Sequence, residues 1–385
     1  MIKKHLAVAV LAAISSLTIE ANAGSFADMV GTHNETSWTA NVRSPTNVSE
    51  VINPAKSYDE NLVDFTINHQ AASAYSTAVL QVFGGKDVTK VGQFLSAVKA
   101  DGGLGYREHM KDKAALTTDM PNVVWQIGNE INNAVLSASI HTWLGDGKAG
   151  GSNDLSIIPT YAEMWFAPAA AGLGSKIMLG SVANAASATA QTFLNTLLDY
   201  TIIGTYAPSL AGKKVSEIIN YGSIHYSQGA TNWTTPVDLF RKRGILVWHT
   251  EEVGGGGAEK GYGSVLAVKA VARTLTEAGN KVFLWGCGIG TNSCNQWMPL
   301  LASYLGTEQL TTITAPVSGT GLETYAFDVG TTGKRVAFVL AGTLTGVTGS
   351  GTVYVFRKTG VEQYAAAAMP SISLDPFSVV YMELN

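Results

Sequence analysis

Short apolar runs rich in β-branched and aromatic residues recur along the first three quarters of the chain. They predict strands at 77–83, 122–128, 176–182, 218–225, 244–250 and 281–286, with weaker ones near 28–33 and 62–68. Stretches with helical spacing of apolar residues lie between them and predict helices at 88–100, 159–173, 189–200 and 263–278. Apolar strands alternating with such helices are typical of parallel βαβ units. Eight strands before residue 290 favour an α/β fold closed as a (β/α)8 TIM barrel over an open doubly wound sheet.

The pattern changes after a further predicted helix at 295–305. From residue 307 onward, short β-like segments such as RVAFVLAG and SVVYMELN are separated by clusters of Gly, Thr and Ser, without helical periodicity. This change indicates a small antiparallel β domain packed on the barrel. The predicted organisation is therefore a catalytic barrel over 24–306 followed by a β-sandwich-like domain over 307–385.

The first 23 residues have the pattern of a secretory signal peptide. Lys3 and Lys4 precede an apolar stretch over 6–19, and Ala21-Asn22-Ala23 forms a small-x-small cleavage site before Gly24. A membrane anchor is disfavoured because the apolar stretch is shorter than a bilayer span requires. We therefore expect a secreted or periplasmic protein that has no membrane association after signal removal.

Composition narrows the choice of partners. Of the 385 residues, 46% are hydrophobic and 14% are charged, which is a globular composition with few surface charges. The net charge of −4 gives no electrostatic reason to expect nucleic acid or an anionic membrane as a partner. The oligomeric state is not readable from the sequence.

Cysteine and histidine usage gives no signature of a metal site. Cys287 and Cys294 could form a disulfide in an exported protein, whereas a metal would need further ligands nearby. The seven histidines are scattered, without an HxH or HExxH pair, which argues against a metallohydrolase. We therefore expect no metal ligands and no cofactor.

Two predicted strands end in carboxylates. VVWQIGNEIN at 123–132 delivers Glu130, and GILVWHTEE at 244–252 delivers Glu251 and Glu252. A single such Glu is commonly just a solvated strand end. In a (β/α)8 barrel, however, all carboxyl ends of the strands meet on the face where active sites are built. Carboxyl groups at the ends of these two strands could lie about 5 Å apart, which is the separation found in retaining glycoside hydrolases.

The chemistry of acetal cleavage explains why two carboxyl groups are needed. One carboxylic acid protonates the leaving oxygen, while an ionised carboxylate captures the oxocarbenium-like centre. Neither group can serve in both protonation states at once.

The motifs resemble those of the clan A glycoside hydrolases. The resemblance is carried by Gly128-Asn129-Glu130 after an apolar strand, Thr250-Glu251 about 120 residues later, His225-Tyr226 between them and Trp285 on the last strand. It covers roughly residues 28–290, and it implies a (β/α)8 barrel that retains anomeric configuration. The family within the clan is not identified.

The resemblance also implies roles for individual residues. Glu130 would be the acid/base, and Asn129 would contact the sugar hydroxyl next to the anomeric carbon. Tyr226, directly after His225, would orient the nucleophile, although Ser227 stands where many relatives have a further Tyr. Trp285 is a candidate stacking platform, because the C–H face of a sugar packs on an aromatic ring.

The choice between Glu251 and Glu252 as nucleophile rests on strand alternation. If Glu251 faces Glu130, then Ile245, Val247 and His249 lie on the inner face and Trp248 points outward. The Thr before Glu251 matches the clan pattern, yet Glu252-Val253-Gly254 resembles its Glu-x-Gly ending. The sequence favours Glu251 and leaves Glu252 open.

The sequence thus predicts an exported retaining glycoside hydrolase that cleaves β-glycosidic bonds of a poly- or oligosaccharide. Two alternatives stay open. A non-catalytic carbohydrate-binding barrel needs no carboxylate pair, and a transglycosylase remodelling an envelope glucan uses the same residues with a sugar as acceptor.

Overall fold

A computed structural model describes residues 22–33, 47–51, 77–82, 88–252, 260–277, 279–284, 294–357 and 360–385. The predicted strand at 62–68, Trp285 and Cys287 lie outside these residues, as does the side chain of Cys294. None of the helices within these ranges is long and apolar enough to cross a membrane.

Two sheets organise the chain. Parallel strands form the first, which curls: β2 (Val30–His33), β3 (Asn47–Val51), β4 (Thr77–Val82), β5 (Val123–Ile127), β6 (Ile177–Leu179), β7 (Val182–Ala183), β8 (Tyr221–His225), β9 (Leu246–Glu252) and β10 (Lys281–Leu284). Their pairing order is β6-β5-β4-β3-β2-β10-β9-β8-β7, and β6 additionally pairs with β8. The structure is therefore mixed α/β, with the carboxyl ends of its parallel strands on one side.

Helices connect and cover these strands. They are α1 (Phe26–Met29), α2 (Val88–Ala100), α3 (Leu104–Leu116), α4 (Ala134–Leu144), α5 (Ile158–Thr160), a π-helical segment (Tyr161–Phe166), α6 (Ala167–Leu173), α7 (Ala188–Leu198), α8 (Val215–Ile218), α9 (Thr234–Arg241), α10 (Lys260–Thr274) and α11 (Cys294–Leu305). Short 3₁₀ turns lie at Leu155–Ile157, Pro208–Leu210 and Ala366–Ala368.

The second sheet is antiparallel. It contains β1 (Asn22–Ser25), β11 (Gln309–Thr312), β12 (Val317–Val329), β13 (Arg335–Val347), β14 (Gly351–Arg357), β15 (Gly360–Ala365), β16 (Ile372–Ser373) and β17 (Val379–Leu384). Strand β1 pairs with β11, so the start of the described chain joins this sheet.

The apolar side chains form layers on both sides of the parallel sheet. Inside the curl, Val79, Val124, Met178, Trp248 and Phe283 pack together, one from each of five strands. Outside it, a larger core joins the sheet to the helices. Because both faces are covered, β4 and β5 are buried at every position, which explains their continuous apolar sequences.

A separate core joins the two sheets. Side chains of α10, β10 and α11 pack there against the antiparallel sheet, for example Val268 and Leu301 against Phe327 and Tyr381. Arg273 on α10 adds an ion pair with Glu323 of β12 at 2.7 Å. The antiparallel sheet is thereby fixed to the side of the parallel sheet.

The sequence pattern did not predict five of the described helices, α1, α3, α4, α8 and α9, or strand β3 of the parallel sheet. Helix α3 illustrates the reason, because its buried stripe is Tyr106, His109, Met110 and Lys113. The spacing is helical, but two of the four positions are polar and obscure the periodicity. Strand β3 reads NVSEV and gives no apolar run.

Candidate active site

A sharp turn at the end of β5 presents Glu130. Gly128 has φ of 94°, and a Cβ there would lie 2.9 Å from the Ile131 side chain, so the turn requires glycine. Glu130 itself has φ of 44°, a conformation that costs a non-glycine residue free energy and is concentrated at functional sites. The backbone therefore holds Glu130 away from the regular course of the strand.

Hydrogen bonds fix this turn to the neighbouring strands. The Glu130 amide donates to Ser181 Oγ at 2.7 Å, and the Ser181 hydroxyl donates to Asn129 Oδ1 at 2.8 Å. The buried Tyr161 hydroxyl donates to the Ile127 carbonyl at 2.7 Å. Burial raises the pKa of Tyr161, which therefore keeps its proton. Asn133 caps α4 by accepting from the Val135 amide at 2.8 Å, so the helix begins directly after the turn.

The end of β8 supplies His225 and Tyr226. His225 is buried, with 1% of its surface exposed. Tyr226 has φ of 52°, and its hydroxyl donates to Glu251 Oε1. The two adjacent residues thus belong to one site. The His225 imidazole is buried beneath its surface, and the Tyr226 phenol lies beside the Glu251 carboxylate.

On β9 the side chains point in directions that differ from those predicted by strand alternation. Trp248 was expected to point outward, but it packs inside the curled sheet. Ile245 and Val247 were expected inward and instead join the core beneath the helices. His249, also expected inward, lies within hydrogen-bonding distance of Gln228 Nε2 (2.8 Å), whose Nε2 also donates to Thr274 at the end of α10. Strict alternation would then have placed Glu252, and not Glu251, at the mouth.

An extra residue in β9 resolves this conflict. Ser223 pairs with Trp248 and His225 with Glu251, so three residue steps on β9 match two on β8. The pairing with β10 shows the same shift, from Val282–His249 to Leu284–Glu252. Such a bulge changes the phase of alternation and re-aims the side chains beyond it. Glu251 consequently points toward Glu130.

The carboxylates of Glu130 and Glu251 converge on one imidazole nitrogen. Glu130 Oε1 and Glu251 Oε2 each lie 3.6 Å from His225 Nδ1. One ligand atom from each of Glu130, His225 and Glu251 lies within 4.8 Å of the other two. The side chains of Glu130 and Glu251 keep 14% and 11% of their surface exposed, so both carboxylates reach a solvent-accessible surface.

Glu252 lies in a different environment. Its Oε1 accepts from the Ser227 amide at 2.9 Å and lies 3.2 Å from His249 Nδ1. Only 2% of its surface is exposed. These contacts anchor the loop after β8 to β9. The Glu252 carboxylate therefore does not point toward His225 Nδ1 as those of Glu130 and Glu251 do.

A row of buried polar residues beneath the site was not predicted from the sequence. Thr250 Oγ1 lies 3.0 Å from His225 Nε2 and 2.6 Å from Ser223 Oγ. Ser223 Oγ donates to Gln126 Oε1 at 3.1 Å, and Gln126 Nε2 donates to the Gly128 carbonyl at 3.0 Å. A signal for them existed: Gln126, Ser223 and Thr250 are polar residues within otherwise apolar strands, where a buried polar group needs a partner.

Of the predicted site residues, Asn129, Glu130, His225, Tyr226 and Glu251 cluster at the carboxyl ends of β5, β8 and β9. Glu252 is adjacent in sequence but turned away, and Trp285 is outside the described residues.

No protein-family model matches the sequence, and no curated protein matches it. Solved structures do resemble it. A 4-O-α-L-rhamnosyl-β-D-glucuronidase from Fusarium oxysporum matches with a TM-score of 0.53 at 10% identity, covering 95% of this chain and 98% of that one. A glycoside hydrolase family 30 subfamily 8 xylanase from Clostridium acetobutylicum matches with a TM-score of 0.49 at 11% identity, with the same coverage of 95% and 98%.

A family 5 glycoside hydrolase from Bacteroides vulgatus has a TM-score of 0.45 at 11% identity, covering 93% of this chain and 88% of that one. At identities this low, structural similarity bears on the fold alone. The chain thus resembles clan A glycoside hydrolases in its fold, as the sequence motifs predicted, and its family within the clan is unidentified.

Proposed function

We propose that the chain is a retaining glycoside hydrolase that cleaves β-glycosidic bonds of a poly- or oligosaccharide. The observation that carries this proposal is the approach of one Glu130 oxygen and one Glu251 oxygen to within 4.8 Å. Retaining enzymes hold their carboxyl groups about 5–5.5 Å apart, whereas inverting enzymes need room for a water molecule. The spacing favours attack by a carboxylate over attack by water.

The contacts of the two carboxylates suggest their roles. The Tyr226 hydroxyl donates to Glu251 Oε1, which leaves Oε2 as the oxygen on the side of Glu130. A hydrogen bond from a phenol stabilises an ionised carboxylate, as a nucleophile requires. Glu251 is therefore proposed as the nucleophile, and Glu130 as the acid/base.

The reaction then proceeds in two displacements. Glu130 donates its proton to the leaving oxygen while Glu251 Oε2 bonds to the anomeric carbon and the glycosidic bond breaks. The ionised Glu130 next takes a proton from water, whose oxygen bonds to the anomeric carbon and releases Glu251. The Ser181 hydroxyl holds the side-chain amide of Asn129 by donating to its Oδ1 at 2.8 Å, and we propose that this amide contacts a sugar hydroxyl.

The proposal includes the fold and the domains. The strand pairings of the parallel sheet return to their start, because β10 pairs with β2 and β6 pairs with β8, which supports closure as an eight-stranded barrel with β6 and β7 as one interrupted strand. We propose 24–306 as the catalytic barrel and 307–385 as the accessory β domain. Trp285 remains the proposed stacking platform, and residues 1–23 the proposed export signal.

The test is hydrolysis of a panel of β-linked polysaccharides and oligosaccharides, read by new reducing ends. Glu251→Ala should abolish turnover, and azide should restore it with an inverted glycosyl azide as product. Glu252→Ala is the matched control, because it makes the same change at the adjacent glutamate, whose carboxylate does not approach Glu130 or His225. If Glu252→Ala behaves as Glu251→Ala is expected to, and Glu251→Ala stays active, the assignment of the nucleophile is wrong.

The same assay separates the alternatives. A carbohydrate-binding barrel would bind the panel without releasing reducing ends. A transglycosylase would yield longer products when acceptor sugars are supplied.

A further inference from the structure

The side chain of His225 is held by a directed chain of hydrogen bonds. The chain begins at the Gly128 carbonyl, which can only accept, so Gln126 Nε2 donates to it and Gln126 Oε1 accepts from Ser223. The Ser223 hydroxyl proton is thereby used, and the Thr250 hydroxyl must donate to Ser223 Oγ at 2.6 Å. Thr250 Oγ1 then accepts from His225 Nε2–H at 3.0 Å.

The direction of this chain assigns the tautomer of the neutral imidazole. With the proton on Nε2, the lone pair is on Nδ1. Nδ1 is buried and makes no hydrogen bond among the residues described. It is aimed at the gap between the two carboxylates, 3.6 Å from an oxygen of each.

Three electron-pair donors therefore converge: Nδ1 of His225, Oε1 of Glu130 and Oε2 of Glu251. A tetrahedral zinc site with bonds near 2.1 Å has edges of about 3.4 Å, close to the two 3.6 Å separations. A metal-bound histidine almost always donates its other ring N–H to a second group, which is what His225 does toward Thr250. Two carboxylates also balance the charge of a divalent ion.

We propose that Glu130, His225 and Glu251 form a binding site for a divalent transition-metal ion, with Zn²⁺ the best fit to one nitrogen and two oxygen ligands. A bound ion occupies the oxygen that would protonate the substrate and the oxygen that would attack it. Zinc is consequently a reversible inhibitor. The binding site stands on geometry alone, whereas the inhibition rests on the proposed function.

Calorimetric titration of the full chain with zinc chloride, after removal of metals by a chelator, tests the site without using turnover. We expect one ion per chain, tighter binding at pH 7.5 than at pH 5.5 because protons compete for the same ligands, and no comparable binding of Mg²⁺. Glu251→Gln and His225→Ala each remove a ligand. Their affinity should fall by at least the roughly 10- to 100-fold that loss of an outer-shell partner costs.

Two further variants show whether the site is the one described. Glu252→Gln, the matched control, should bind zinc within about threefold of the wild type, because Glu252 is not a ligand. Thr250→Val keeps the side-chain shape but removes the acceptor of Nε2–H, and it should weaken binding about 10-fold. Thermal unfolding of each variant identifies any that fail to fold, in which case the isosteric Glu130→Gln replaces it.

The proposal is overturned if the wild type shows no saturable zinc binding, or if Glu251→Gln and Glu130→Gln bind as tightly as Glu252→Gln. These outcomes are distinct from failure of the proposed function. If the chain hydrolyses β-glycosides but does not bind zinc, only the proposed metal site is refuted. If the chain binds zinc at these residues but cleaves no glycoside, only the proposed hydrolase function is refuted.

Discussion

Two histidines of this protein each lie between two carboxylates, and their geometries differ. His141 on α4 uses both ring nitrogens: Nδ1 is 2.8 Å from Asp146 and Nε2 is 2.7 Å from Asp154. His225 uses Nε2 toward the Thr250 hydroxyl, while its Nδ1 stands 3.6 Å from Glu130 and from Glu251. Both rings are buried, with 1% of their surface exposed.

Under the proposed function, the same residue types stabilise the structure at His141 and take part in chemistry at His225. His141 makes two short bonds to acceptors, so it carries two protons and closes the loop over 145–154 onto α4. His225 is held from below by a neutral hydroxyl, and the carboxylates around it remain directed at the surface. A carboxylate already engaged by a short ion pair cannot easily exchange a proton with a substrate. We propose that exchange for Glu130, whose Oε1 stands 3.6 Å from the His225 Nδ1.

Within this comparison of the two histidine clusters, the largest expected effect comes from removing Glu130, the proposed proton donor. Glu130→Gln should lower kcat/KM about 10²- to 10⁴-fold on unactivated β-glycosides, because general acid catalysis contributes that much. The loss should be smaller on aryl glycosides, whose leaving groups need little protonation. Steady-state kinetics on both substrate types measure the difference.

Asp154→Asn is the comparison variant from the His141 cluster. It removes an acidic group beside a histidine, yet we expect kcat/KM to stay within about threefold of the wild type and only stability to fall. An equal kinetic loss in both variants would contradict the distinction between the two clusters.

Exchanging each histidine for Gln should separate activity from stability. His225→Gln should lower kcat about 10- to 100-fold, because small misplacement of the catalytic groups is costly. His141→Gln should lower the free energy of unfolding by about 2 kcal/mol, the contribution of a hydrogen bond to a charged group, and leave kcat nearly unchanged. Urea denaturation and initial rates on the same preparations measure both quantities. The prediction fails if His141→Gln loses activity at full stability.

Much of the fold and the proposed catalytic pair could be read from the sequence, because apolar runs mark buried strands whatever their neighbours do. Strands β4, β5 and β9 and helix α2 were predicted close to their observed bounds. Glu130 and Glu251 were paired from their positions at strand ends, and the structure brings them together.

The choice of Glu251 rested on two grounds: Thr250 stands before it, and an inner face was assigned to Ile245, Val247 and His249. The structure contradicts that inner face. A bulge depends on hydrogen-bond register with two neighbouring strands, and no local pattern in GILVWHTEE encodes it. The chain Gln126–Ser223–Thr250 was unreadable for a related reason: its members come from three strands and meet only after the sheet curls. Local periodicity reports burial, and contacts between distant strands determine which side chain reaches the site.

The smallest predicted effect is a pH dependence of stability, which would show that His141 is held in its charged form between Asp146 and Asp154. Burial acts to lower the pKa of His141, but the hydrogen bonds that its ring donates to Asp154 and Asp146 prevail and raise the pKa above its ordinary value. A raised pKa means that the folded state binds the proton more tightly, so this stabilisation is complete below the ordinary pKa and is lost as pH rises through the folded one. The pKa of Asp154 is lowered, so the stabilisation that its ionised carboxylate contributes is lost only in acid.

Replacing His141 by Gln should therefore cost less free energy of unfolding at pH 9 than at pH 6. His109 provides a control of opposite sign, because burial and the charge of Lys113 lower its pKa to about 4. The folded state then disfavours the protonated ring, and native stability rises with pH through the ordinary pKa of histidine near 6.5. The cost of His109→Gln should accordingly grow between pH 6 and pH 9 while that of His141→Gln shrinks. Parallel changes in the two variants would show that the carboxylates around His141 do not hold it in its charged form.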